Sequence, residues 1–229
     1  MDNKNWKGWL YLLPAMAFLG VFMVYPLIDV FIYSVEEGFN SASQTHFGIG
    51  LYNYKYVLHD PYFLQAVKNT FILVVITVPL STGLALLIAL ALSSIQKLKN
   101  LFQTIYFLPY VTSVIAIGIV WSWIFNSDFG LLNHILSWFG IDAIPWLNSP
   151  DYALTALIIF SIWKSMAFDI LIFLAGLQTI SPDLYNAARV DATPKWRVFT
   201  KITVPGISPM IAYAFIMGII NAFKVYNEV

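Results

Sequence analysis

The chain has 229 residues, 59% hydrophobic and only 10% charged, and its twelve Lys/Arg balance twelve Asp/Glu. A soluble domain carries nearer a quarter charged residues, so the composition is that of a membrane protein, and zero net charge removes any bulk electrostatic case for nucleic acid. With no cysteine, disulfides, thiol nucleophiles and Cys-ligated metals are excluded; His46, His59 and His134 are scattered, so no metal site and no cofactor bound by this chain is expected.

Residues 1–8 are polar, with Lys4 and Lys7. Residues 9–35 form an apolar run broken only by Asp29, too long for a signal-peptide core, and Pro14 and Pro26 predict kinks in it. Residues 36–69 are polar and aromatic. Within them Asp60-Pro61 predicts the start of a short interfacial helix, with Tyr62, Phe63, Ala66 and Val67 on its apolar side. A second span is predicted over 70–92, with Pro79 and Gly83 inside it, then a short basic loop over 93–104. The third span, 105–125, reaches ~31 Å at ~1.5 Å per residue, enough for the hydrocarbon core. Residues 126–152 hold three aspartates and no Lys or Arg. There Leu132, Ile135, Leu136 and Phe139 share one face of a predicted amphipathic helix, and Trp138 and Trp146 suit a membrane interface. The fourth and fifth spans are predicted at 153–175 and 207–223.

Between those last two spans lies a soluble stretch, 181–209, with four of the twelve basic residues: Arg189, Lys195, Arg197 and Lys201. It predicts helix, turn, helix. Ser181 is a good N-cap, Pro182 suits the first helical position and Asp183 the positive end of the dipole. Thr193-Pro194 signals a second start; Val198, Phe199 and Ile202 then fall on one face, Pro205 stops the helix, and Pro209 opens the next span. Lys4, Lys7, Lys97, Lys99, Arg189, Lys195, Arg197 and Lys201 lie on one side of the predicted membrane, against Lys55 and Lys68 on the other. The positive-inside rule therefore puts the N-terminus and this loop in the cytoplasm.

Asn186-Ala187-Ala188-Arg189-Val190-Asp191-Ala192, followed by Phe199, Ile202, Pro205 and Pro209, resembles the "EAA" loop of the membrane subunits of binding-protein-dependent ABC importers. That pattern is E-A-A-x-x-D-G-A, then F-x-x-I-x-x-P-x-x-x-P. Asn186 stands for its Glu, Ala192 for its Gly and Thr193 for its Ala. A Gly would permit a left-handed turn; Ala costs roughly 1 kcal/mol there if that conformation is kept, and Thr193-Pro194 is the alternative means of shaping the turn. Further resemblances extend over nearly the whole chain. Tyr25-Pro26-Leu27-Ile28 with Ser34 resembles the first helix of sugar-importer permeases. Asn53-Tyr54 matches a strand-like element, and Asn69-Thr70 the start of the shared transmembrane domain. Phe129-Gly130-Leu131-Leu132-Asn133 is similar to an outer-side element, and Leu174-Ala175-Gly176-Leu177-Gln178-Thr179-Ile180 to the exit of the fourth helix.

The resemblance implies an all-α, multi-pass helical bundle of the type I ABC importer class in a prokaryotic cytoplasmic membrane. It divides the chain into 1–68, a first helix with an outer segment, and 69–229, the transmembrane domain. Residues Phe223 to Val229 look like the last ones before an outer loop, so a final helix is expected to be missing from the chain. The implied partners are a second homologous permease, ATP-binding subunits and an extracytoplasmic solute-binding protein, with a sugar as solute. The implied coupling residues are Asn186, Ala187, Ala188, Arg189, Asp191, Ala192, Phe199 and Pro205. ATP hydrolysis is expected on another chain, because no G-x-x-x-x-G-K-S/T occurs here.

Inside the fourth span, Trp163, Lys164 and Asp169 are candidates for lining the solute route. Charges at membrane depth are costly and must face protein or water. Positions 164 and 169 are about 140° apart on a helix, so they are a poor mutual pair, and structural pairing with another helix is the competing explanation. Trp121, Trp123 and Trp163 offer stacking faces for sugar, but tryptophan also serves as an interfacial anchor. A stand-alone secondary transporter or channel is the rival reading; it needs ion-coupling carboxylates or broken helices at the midplane, and Asp169 alone supports it. An intramembrane enzyme lacks any nucleophile–base or metal constellation.

Overall fold

The computed structural model describes residues 5–39, 45, 47–95 and 99–225. Lys4, His46, Lys97 and residues 226–229 lie outside them. Three helices are each long and apolar enough to cross a membrane: Trp6–Val35, Pro61–Ser93 and Pro150–Thr179. Two bent pairs, Gln103–Val111 with Val114–Ile124 and Lys195–Gly206 with Ser208–Phe223, pass the same test only when joined, which gives up to five spans when each pair counts as one.

The first span comprises α1 (Asn5–Leu19), a π turn (Gly20–Val24) and α2 (Tyr25–Val35). Pro14 and Pro26 do not break it. The π turn lies just ahead of Pro26, where the wider turn moves aside the Phe22 carbonyl that the ring would otherwise meet. β1 (Glu36–Glu37) then pairs antiparallel with β2 (Gly48–Ile49), Glu36 opposite Ile49. Asn53-Tyr54, expected as strand-like, is instead in α3 (Tyr52–His59). Its side chains bind the preceding helix end. Asn53 Nδ2 donates to the carbonyls of Ser34 at 3.2 Å and Glu36 at 2.9 Å, and the Tyr54 hydroxyl lies 2.8 Å from that of Ser34. The terminal carbonyls of a helix have no partner within it, and here a side-chain amide supplies one.

α4 (Pro61–Ser93) fuses the expected interfacial helix with the second span, and Asp60 starts it by accepting the Tyr62 N–H at 2.9 Å. Its 33 residues reach ~50 Å, well beyond a ~30 Å hydrocarbon core. The third span, expected as one helix, is two: α5 (Lys99–Val111) and α6 (Val114–Ile124), bent by 106°. Pro109 removes a helical donor near the end of α5, and Ser113 is extended, with φ −55° and ψ 129°. α7 (Leu131–Ser137) precedes α8 (Pro150–Thr179), whose N-terminus is capped by the Ser149 hydroxyl. The soluble stretch forms α9 (Pro182–Val190), α10 (Lys195–Val198), a second π turn (Phe199–Thr203) and α11 (Val204–Gly206), before α12 (Ser208–Phe223).

The chain packs as two units, residues 1–67 and 68–229. In the second, α4, α8 and α12 share a core. At one end Ala85, Ala89 and Leu92 meet Ile170, Phe173, Leu174 and Ala214. At the other, Leu73, Val74 and Val78 meet Ile158 and Ala222. α4 and α8 therefore run in the same direction and α12 returns. Small residues set the approach: a Cβ on Gly218 would sit 3.1 Å from Val78 Cγ1.

The connection between α6 and α8 is a folded cap. Asn133 is buried at its centre, with Nδ2 donating to the carbonyls of Ser127 (3.1 Å) and Ile144 (2.9 Å), and Oδ1 accepting from the Ile144 N–H (3.2 Å) and Trp146 Nε1 (2.8 Å). Trp146, expected at an interface, is instead buried against Ile117, Phe125, Ala156 and Phe160. Of the predicted amphipathic face, Leu132 and Leu136 pack onto this cluster, while Ile135 and Phe139 are exposed.

Candidate functional site

The 181–209 stretch folds as predicted in outline. The Ser181 hydroxyl accepts the Asp183 N–H at 3.3 Å, with Pro182 in the first turn. Asp183 opens the helix and Arg189 closes it, each charge at the dipole end that favours it. The turn that follows is more specific than the sequence implies. Thr193 N–H donates to Ala188 O at 2.9 Å and Ala192 N–H to Arg189 O at 3.1 Å, the paired bonds of a Schellman motif. That motif needs a left-handed residue at its centre. Ala192 supplies it with φ 49°, alone among the described non-glycine residues in having a positive φ. The departure from glycine is thus absorbed by strain at Ala192, and Thr193-Pro194 does not replace the left-handed turn. Asp191 sits at the C-cap with its N–H on Ala187 O at 3.0 Å.

Pro205 does not stop the second helix. Lys195–Gly206 is helical throughout, and its π turn ends two residues before Pro205, repeating the arrangement at Pro26. The helix ends at Ile207, where a 68° bend leads into α12, which starts at Ser208-Pro209. Val198, Phe199 and Ile202 turn toward the protein, half-buried, while Lys195, Arg197 and Lys201 are exposed.

The loop is fastened at three levels. The Tyr185 hydroxyl on α9 lies 3.2 Å from Thr203 Oγ1 in the π turn, and Thr203 is buried. Next, Gly206 lies against Ile180, close enough that an added Cβ would meet Ile180 Cδ1 at 2.8 Å. Below that, Gly176 lies against Ile207 and Met210. α9 is thereby packed onto the second helix of the loop, and that helix onto the ends of α8 and α12.

These contacts divide the α9 residues into two groups. Ala188, one of the implied coupling residues, is only 7% exposed in this chain, so its small side chain serves the loop's own packing. Ala187 is exposed, together with Asn186 and Arg189. Leu184, Ala187 and Val190, each three residues from the next, form an outward apolar stripe, with Val190 86% exposed. Sequence reasoning passed over Leu184 and Val190. Their three-residue spacing in an otherwise soluble stretch was the available signal.

In α8, Trp163 packs against Trp121 at 5.3 Å and Phe160 at 6.4 Å, inside the aromatic cluster that includes Phe125. Lys164 is half-buried and Asp169 buried beside Ile170 of the core. Tyr110, two residues before the α5–α6 break, stacks on Phe168 of α8 at 4.9 Å, and Trp121 beyond the break lies tilted against Trp163 at 5.3 Å. Thr112 and Ser113 are exposed. Irregular backbone at membrane depth is stable only when buried in protein or facing a water-filled route.

Apolar helices, two of them bent pairs, and a helix–turn–helix fastened to the ends of α8 and α12 define a polytopic α-helical membrane protein. The chain belongs to the family described as binding-protein-dependent transport system inner membrane component, whose pattern matches residues 81–226. It is an inner-membrane component of such a transport system. It is 34% identical over 226 residues to the lactose transport system permease protein LacF of Rhizobium radiobacter, covering 97% of this chain and 74% of that one. Among solved structures it is similar to a bacterial ABC transporter involved in the import of the acidic polysaccharide alginate. There the TM-score is 0.81 at 26% identity, over 97% of this chain and 75% of the other. A second structure, of a bacterial alginate ABC transporter in complex with an alginate-pentasaccharide-bound periplasmic protein, gives a TM-score of 0.79 at 27% identity, over 97% and 74% of the two chains.

Proposed function

We propose that this chain is one of two permease subunits of an importer that carries a carbohydrate inward, and that α9 is its docking element for a cytoplasmic ATPase subunit. The observation that carries the reading is the exposed stripe Leu184–Ala187–Val190 on a loop fastened to α8 and α12. An apolar stripe outside the membrane spans is what a protein partner would cover. A closing pair of ATPases would swing α9, and the Tyr185–Thr203 and Ile180–Gly206 contacts would pass that swing to the spans as a rigid-body movement. ATP hydrolysis then belongs to the partner chain. The carbohydrate assignment is supported by the lactose permease and the alginate transporter, and delivery by a solute-binding protein by the periplasmic protein held in the latter's complex.

In this reading the exposed break at Thr112–Ser113 faces the solute route, while Trp163 belongs to the aromatic cluster that packs α6 against α8. The docking test uses single cysteines in a chain that has none. With the cognate ATPase and second permease assembled, Ala187→Cys and Val190→Cys cross-link to the ATPase, and Ala188→Cys does not. Cross-linking from position 188 alone, or from none of the three, refutes the assignment of the outer stripe.

A further inference from the structure

The helix after the turn, Lys195–Gly206, carries a chemistry that α9 lacks. Three cations, Lys195, Arg197 and Lys201, fall within seven residues and all are exposed. The sequence from Ala192 to Asn227 contains no Asp or Glu to neutralise them. Trp196 is 73% exposed, its ring 5.7 Å from that of Phe199. The orientation of this helix follows from the bend at Ile207. With α12, the apolar arm of that bent pair, perpendicular to the bilayer, the 68° bend leaves Lys195–Gly206 about 22° from the bilayer plane. Its cations keep it out of the hydrocarbon. Its half-buried face, Val198, Phe199 and Ile202 with buried Thr203, is already engaged with its own chain, so the helix cannot roll its charges elsewhere.

We propose that Lys195, Trp196, Arg197 and Lys201 form a docking surface for anionic phospholipid headgroups. The leaflet is the inner one if the loop is cytoplasmic, and that is the only point at which the inference rests on the proposed topology. The cations bind lipid phosphates, and the indole of Trp196 settles at the boundary between headgroups and acyl chains, the zone that tryptophan prefers. Lipid thus keeps the second helix of the loop against the bilayer surface, the same helix that meets α9 through Thr203. Each cation near the surface favours an anionic over a neutral bilayer by about fivefold, so three together give up to roughly 100-fold at low salt.

The test places the full chain in nanodiscs containing either phosphatidylglycerol or phosphatidylcholine brominated close to the headgroup. The fluorescence lost in Trp196→Phe isolates the signal of Trp196 from the other tryptophans. That signal is expected to be quenched more by the brominated anionic lipid than by the brominated neutral one. The preference should fall by about fivefold for each of Lys195→Gln, Arg197→Gln and Lys201→Gln, survive in Lys201→Arg, and fade in high salt. Lys224→Gln, the same loss of charge at the far end of α12, is expected to leave it unchanged, and a matching melting curve for each variant excludes misfolding. Equal quenching by the two lipids, or none by either, overturns the proposal. So does relief of the quenching when the ATPase subunit is added, which assigns the surface to that protein; the cross-links from α9 are scored separately and do not depend on this outcome.

Discussion

Ala192 offers the most direct measure of how far the loop's geometry is imposed on its sequence. An L-residue held at φ 49° brings its Cβ toward the following carbonyl oxygen, at a cost of roughly 1–2 kcal/mol. Glycine escapes that cost but loses more backbone entropy on folding, which returns part of the gain. The net expectation for Ala192→Gly is a stabilisation of about 1 kcal/mol, confined to the turn. The two amides that report it are those of the Schellman motif, Ala192 N–H on Arg189 O and Thr193 N–H on Ala188 O. Hydrogen exchange followed by mass spectrometry on the purified full chain should show their protection rising about fivefold, the factor that 1 kcal/mol represents, while peptides from α4 and α12 stay unchanged. Ala192→Val acts in the opposite direction, because a β-branched side chain is still less tolerated at positive φ. Unchanged exchange in both variants, or greater protection in the valine than in the glycine variant, would show that the turn is not left-handed at position 192.

Other residues make separate predictions. Asn133→Ala removes five hydrogen bonds at the centre of the cap and strands the buried Trp146 Nε1–H, so it should cost about 3 kcal/mol and lower the melting temperature, with the loss concentrated in peptides over 126–148. Tyr185→Phe deletes the hydroxyl facing Thr203 and should raise exchange across 199–203 severalfold, for a cost of about 1 kcal/mol, without releasing α12. For orientation, Lys195→Cys should react with a membrane-impermeant maleimide only from the cytoplasmic side and Ser137→Cys only from outside; the reverse pattern inverts the topology. Both positions are exposed, whereas Asn133 is too deeply buried in the cap to report accessibility.

What could be read in advance follows from which forces leave a trace in single residues. Apolar runs announced five spans because exclusion from water acts on every residue of a span. The cap of α9 was legible because Ser181 followed by Pro182 is a local signal. The 106° break at Thr112–Ser113 was not, since Pro79 and Pro109 both lie within helices in the sequence pattern and only tertiary contacts make one helix bend and the other run straight. Nor could spacing say which alanine of Ala187-Ala188 faces outward. The two differ by 100° on a helix, and the choice is made by Tyr185 and Thr203, 18 residues apart in sequence. Trp146 shows the same limit: the sequence offers an indole beside a membrane, and contacts distant in sequence bury it, with Asn133, 13 residues earlier, accepting its Nε1–H.

The base of the loop yields a prediction about order rather than size. Two glycines pack there at different tightness. A Cβ on Gly206 would lie 2.8 Å and 2.9 Å from Cδ1 and Cγ1 of Ile180, closer than side chains come without displacement. A Cβ on Gly176 would lie 3.0 Å from Met210 Cγ and 3.3 Å from Ile207 Cγ2. Methionine is unbranched and readily repacks, so Gly176→Ala can recover in helix propensity, up to about 1 kcal/mol, what it loses in contact. Ile180 is buried and β-branched, with a restricted χ1, and overpacking it costs about 1–3 kcal/mol. Gly206→Ala should therefore lower the melting temperature of the purified chain while Gly176→Ala leaves it near that of the unaltered protein. Because Gly206 sits where the loop joins α12, its variant should also loosen the amides of 195–206 in hydrogen exchange. A Gly206→Ala protein as stable as the parent, beside a destabilised Gly176→Ala, would mean that the loop rests on the Met210 contact and that Ile180 is free to move away.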